Sequence, residues 1–168
     1  MRPRQRVLDE DLLTPSLTEE HDAAGFQRPW NPYTLLLVTF FSGLPGGGTL
    51  LALNFGRLGK PAMVGRTMVL VWLGAVLLYV VVALLMRAGV ISAGMESRQI
   101  VRFGVQAVSM FLGWFIVRAQ RSRWEIFETS GQPKGALLWP VIGALVLGIA
   151  STFVIITIVF GLFGLRFA

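Results

Sequence analysis

The stretch PWNPYTLLLVTFFSGLPGGGTLLALNFG, residues 29–56, carries no charged side chain and is interrupted at its centre by Gly43-Leu44-Pro45-Gly46-Gly47-Gly48. Its length suits a membrane span, because the hydrocarbon core is about 30 Å thick and about 20 apolar residues in a helix cross it. Its centre does not suit a plain span. Pro45 cannot donate a backbone hydrogen bond, and successive glycines carry the highest entropic cost of helix formation, so the segment is expected to break or kink there. In lipid, backbone groups freed by a break are costly unless protein or water satisfies them, so the break must be buried against other helices.

Three further uncharged stretches follow at residues 67–86, 103–117 and 135–165. Of all residues 54% are hydrophobic and only 14% charged, and the charges lie between these stretches rather than within them. Residues 76–85 are apolar all round, which a helix on a water-soluble core avoids. The expected fold is an all-α integral membrane helical bundle of four hydrophobic segments, at about residues 33–56, 67–87, 100–120 and 135–163, the first broken or re-entrant.

Composition also narrows the chemistry. There is no Cys, and His21 is the only His, so neither a disulfide framework nor a Cys/His metal cluster is expected, and no cofactor is implied. Glu96, Glu125 and Glu128 fall between the apolar stretches. A nucleophile with its base, or a carboxylate pair, is therefore not placed in the membrane, and no catalytic residue is assigned. The net charge of +6 comes from 15 Lys and Arg dispersed around the segments without interleaved aromatics, which argues against a nucleic-acid partner. Basic residues beside spans instead suit anionic lipid headgroups, each worth about 1 kcal/mol near such a leaflet. Thirteen of the fifteen are Arg, in keeping with a bacterial plasma membrane protein from a GC-rich genome.

The first 31 residues differ in kind. Arg2, Arg4 and Arg6 are followed by six acids between Asp9 and Asp22 with few large apolar groups, so a disordered polar tail is expected before a transmembrane domain over 32–168. No apolar core or small-residue cleavage site follows the basic start, unlike a signal peptide. Ser16 and Glu19 have capping-box spacing. Trp30 and Tyr33 suit the headgroup level.

Two arrangements of the broken segment fit the sequence. One is a kinked span whose small face, Gly48, Ala52 and Gly56, packs on a neighbour. The other is a re-entrant hairpin of two half-helices of about eight residues each, entering and leaving on one side. The glycine run lacks the Lys-Ser/Thr ending of a phosphate loop. Beyond it, Asn54 is expected near a membrane face, with Gly59 and Pro61 stopping the helix. Residues 29–61 resemble a segment of small uncharacterised bacterial multi-spanning membrane proteins, in which a Gly/Pro-rich break is followed by Asn and then Arg-Leu-Gly, here Asn54 and Arg57-Leu58-Gly59. The resemblance covers about a fifth of the chain and implies a bacterial membrane setting without a known activity.

In the third segment Arg98, Arg102, Gln106, Ser109 and Gly113 recur at four- and three-residue steps, which keeps them on one helix face. Such a stripe should face protein or a polar cavity. It is either the wall of a pocket with Arg102 at its mouth, drawing in an anionic headgroup or solute, or a packing face. The helix is expected to continue to Thr129, with Trp124 and Phe127 on one side against headgroups or a partner. Ala144, Gly148 and Thr152 give the fourth segment a small face, for the bundle or for a homo-oligomer.

The expected role is that of a non-catalytic structural, assembly or partner-binding subunit. A small transporter or channel subunit is the alternative, since broken helices expose backbone dipoles to solutes. Charge separates the two arrangements of the first segment. Four plain spans divide the basic residues 8 to 7, whereas a re-entrant first segment groups the tail with residues 57–66 and 118–134 and divides them 11 to 4. The positive-inside rule then favours the re-entrant form with a cytoplasmic tail.

Overall fold

The computed structural model describes residues 28–91 and 95–164, all of whose regular elements are helical. They are α1 (Pro32–Gly43), a π-helical turn (Leu44–Gly48), α2 (Thr49–Arg57), α3 (Pro61–Arg87), α4 (Met95–Thr129) and α5 (Leu138–Leu162). Most of the expected tail, with its capping box, lies outside the described residues. Its last part does not: Arg28 to Asn31 belong to the packed domain, and Trp30 is buried.

The first apolar segment is a hairpin. Trp30 N–H donates to Asn54 Oδ1 at 2.9 Å, and Asn54 Nδ2 donates to the Trp30 carbonyl at 3.0 Å. A continuous helix would hold these two residues about 36 Å apart, at about 1.5 Å per residue. The reversal begins at Gly43, whose φ of 69° is a left-handed conformation open to glycine at little cost. At Gly47 a Cβ would lie 2.3 Å from Thr39 Cα, so the two limbs touch backbone to backbone just below the turn. A helix of 12 residues is about 18 Å long, so the tip reaches past the middle of a hydrocarbon core about 30 Å thick.

Four segments are long and apolar enough to cross a membrane. The first is folded on itself, so α3, α4 and α5 are the three continuous helices long enough to cross. They surround the hairpin: 72% of its most hydrophobic window is inside the protein, against 22%, 22% and 28% for the others. The expected small faces serve this enclosure. Gly48 meets Val71 and Gly56 meets Val64 on α3, Gly46 meets the Ala144 carbonyl on α5, and Gly148 meets the Ser42 carbonyl. Beyond the tip α3 and α5 close on one another, with Val82 and Ala83 packed with Ile155 and Val159. There the Tyr79 hydroxyl hydrogen-bonds Thr152 Oγ1 at 3.4 Å.

Helix limits depart from the sequence reading in two places. Pro61 opens α3 instead of merely stopping α2, since proline tolerates the first turn, where its missing N–H has no helical partner. The third segment is one 35-residue helix, which starts earlier than residue 100 and, as expected, runs on to Thr129. Because α3 leaves the hairpin's open end, α4 returns to it and α5 leaves again, Arg28, residues 58–60 and residues 130–137 share one side of the bundle. Residues 88–91 lie on the other.

Candidate functional site at the mouth of the hairpin

The chain approaches α1 through Pro29-Trp30-Asn31. Asn31 caps α1 by accepting the Tyr33 N–H at 2.9 Å, and Pro32 occupies the first turn. Trp30 is thereby left outside the helix with a buried backbone N–H and carbonyl, which need partners. The Asn54 side chain supplies both. Its second Nδ2 hydrogen donates to Gln120 Oε1 at 2.9 Å, and Gln120 Nε2 donates to the Leu51 carbonyl at 2.6 Å. Asn54 and Gln120 have no exposed surface, so three elements are tied together by two amides away from solvent.

The Trp30 ring carries the tie outward. Its Nε1–H donates to the Ala136 carbonyl at 3.0 Å, and the Gly135 N–H donates to the Pro29 carbonyl at 3.0 Å. A Cβ at Gly135 would lie 2.4 Å from the Arg28 carbonyl oxygen, so this approach requires glycine. The Arg57 guanidinium lies 3.6 Å from the centre of the Trp30 ring and donates to the Arg28 carbonyl at 2.9 Å. Stacking a cation on indole contributes about 0.5–2 kcal/mol, depending on desolvation. It also keeps the charge at the rim while the ring stays buried.

Of the sequence-picked residues, Gly43, Pro45, Gly46, Gly47 and Gly48 form the tip and Asn54 forms the mouth. The stripe on α4 divides. Ser109 and Gly113 face inward, and a Cβ at Gly113 would meet Leu36, Leu51 and Thr39. Gln106 is half-buried and Arg102 exposed, while Arg98 is placed on α4 without a described side chain. The inner face continues through Val117, Gln120 and Trp124, at the same steps. The stripe picked from the sequence stops at Gly113, and the next position at the same spacing, Val117, is apolar. The signal for more was available, since Gln120 is an uncharged amide at about the depth expected of Asn54.

Trp124 corrects the expectation that its ring lies against headgroups or a partner. It is 1% exposed, packed beside Phe127 and under Lys134, whose Nζ is 5.2 Å from the ring centre. At the tip, the Thr39 and Ser42 hydroxyls donate back to the Leu35 and Val38 carbonyls at 2.9 and 2.7 Å. The buried Ser109 Oγ is without a hydrogen-bond partner.

The mouth is therefore built from amides, peptide groups, an indole and one guanidinium, none of which changes protonation near neutral pH. What it does chemically is fix geometry. Among the described residues no three His, Cys, Asp or Glu side chains come together as metal ligands would. Comparison with protein-family models, curated proteins and solved structures finds no match to this chain.

Proposed function

We propose that this chain is a non-catalytic subunit of a bacterial plasma membrane, whose hairpin is a permanent structural wedge and whose work is assembly or partner binding. The observation that carries the reading is the use of the mouth amides: Asn54 makes three hydrogen bonds and Gln120 two, all to the chain itself. A hairpin meant to open around a solute would keep some of this capacity free. Of the described basic residues, eight lie on or beside the mouth side and three on the other, and the positive-inside rule orients the mouth toward the cytoplasm. There α4 presents an exposed flank, Ser122, Arg123 and Ile126, to soluble or peripheral partners. Anionic headgroups are the lipid partners proposed for the same rim.

Photo-cross-linking residues introduced at Ser122 and Ile126 test this in cells. The expected result is one or a few discrete adducts, and adducts to lipid alone would sink the partner-binding reading. A second reading, a transporter or channel subunit working singly or as a homo-oligomer, is favoured by the glycine turn at mid-membrane depth. Flux of ions or small anions into liposomes holding the pure, folded protein, above that of protein-free liposomes, would support it.

A further inference from the structure

The mouth side of the bundle is strongly and openly basic. Arg28, Lys60, Arg66 and Arg123 form no ion pair among the described residues, Arg118 only stacks at 5.5 Å on Trp114, and Arg57 is engaged with Trp30. The acids on this side, Glu125 and Glu128, are each already paired, with Arg121 at 2.7 Å and Lys134 at 2.8 Å. The rest of the chain's acid is concentrated elsewhere. Residues 9–22 hold six of the nine Asp and Glu, and no Lys or Arg. We propose that this acidic segment of the chain's own N-terminus docks on the mouth-side basic face and shields it from anionic lipid headgroups.

Geometry puts the two together. The Arg28 carbonyl accepts from Arg57, and the Pro29 carbonyl from Gly135, so the chain leading back to residue 22 leaves from the basic face itself. Asp22 lies six residues before Arg28, within about 20 Å at full extension, and Asp9 within about 65 Å. Helices are about 10 Å across, so a face made of a few helix ends is fully covered by that reach. A tether this short holds the segment at an effective concentration of the order of millimolar, enough for individually weak ion pairs to act together. Apolar groups match as well. Leu12, Leu13 and Leu17 interleave the acids, and Ile126, Leu138 and Trp139 stand exposed on or beside the same rim. Free anionic lipid must compete with a ligand that never leaves.

The absence of native Cys makes the test direct. Ser16→Cys and Ser122→Cys are introduced together in the full chain, which is placed in nanodiscs of phosphatidylcholine and treated with a short bismaleimide. Docking gives an intramolecular cross-link, slowed about fivefold or more in 1 M salt, where the screening length falls to about 3 Å. Neutralising the six acids to Asn or Gln slows it to the same degree, in a chain whose melting temperature in detergent matches that of the wild type. The neutralised chain also retains more phosphatidylglycerol when purified from mixed vesicles. Equal cross-linking rates with and without the acids would overturn the proposal, as would cross-links only between chains, or capture that requires anionic lipid and so reports the Arg2, Arg4 and Arg6 end.

Discussion

Replacing Asn54 with Leu should open the hairpin, and the size of the effect follows from the groups it would strand. Leu fills a similar volume but makes no hydrogen bond, which leaves the Trp30 N–H, the Trp30 carbonyl and Gln120 Oε1 unpaired. A buried group left without its partner costs about 1–3 kcal/mol, whereas hydrogen bonds between membrane helices average nearer 0.6 kcal/mol in double-mutant cycles. Three groups at the lower value give about 2 kcal/mol. Partial rescue by water at the mouth, which sits near the interface, caps the upper end at about 5 kcal/mol. The assay is reversible unfolding in mixed micelles, followed by tryptophan fluorescence, for wild type, Asn54→Leu, Gln120→Leu and the double variant. The two single losses should fail to add by about 0.5–2 kcal/mol, because the partners touch. A loss below about 0.5 kcal/mol in Asn54→Leu, or strict additivity, would refute the claim that this amide pair closes the hairpin.

Three other outcomes follow. Gly47→Ala should abolish stable folding or cost more than about 3 kcal/mol, since its Cβ would sit 2.5 Å from the Thr39 nitrogen, while Gly143→Ala and Gly104→Ala, which meet open space, should leave the melting temperature in detergent within about 2 °C. Ser109→Ala should stabilise the bundle by about 1 kcal/mol in the same unfolding assay, because it removes a buried hydroxyl with no partner, whereas Ser109→Leu should overpack and Phe111→Leu, on the lipid side, should be nearly neutral. Single cysteines at Lys60 and Ser130 should react alike toward an impermeant maleimide in intact cells, and oppositely to one at Val90; a different reagent response at Lys60 and Ser130 would break the topology.

Most of the architecture was legible because lipid simplifies the problem. A segment such as residues 67–86 has no fate but a span once its length and purity are read. The Gly/Pro centre of the first segment was equally legible as a break, and the charge division favoured its reversal. What could not be read was which partners make a reversal tolerable. Those lie at Ala144 and Gly148, about a hundred residues away, which the sequence marks as a small packing face but not as the seat of a hairpin tip. Trp124 was misread for a related reason. An aromatic on a helix beyond the membrane looks like an interface anchor until the loop carrying Lys134 is seen to fold over it.

The hairpin also explains why the same stripe on α4 had two readings. In a bundle of four full spans, Ser109 and Gly113 would face a neighbour along the whole membrane depth, and a polar cavity would need a separate cause. With a half-depth wedge the depth is divided. Along the hairpin, Gly113, Val117 and Gln120 receive the two limbs, with no side chain where Leu36, Leu51 and Thr39 crowd in and an amide where Asn54 and the Leu51 carbonyl arrive. Past the tip the wedge ends and α4 packs toward α3, so the positions that face inward become apolar, as at Val101 and Val105. Ser109 stands where one regime passes into the other, which accounts for a hydroxyl that is buried yet has no partner. Its polarity belongs to the hairpin side of that boundary, while its neighbours toward Arg102 belong to the other.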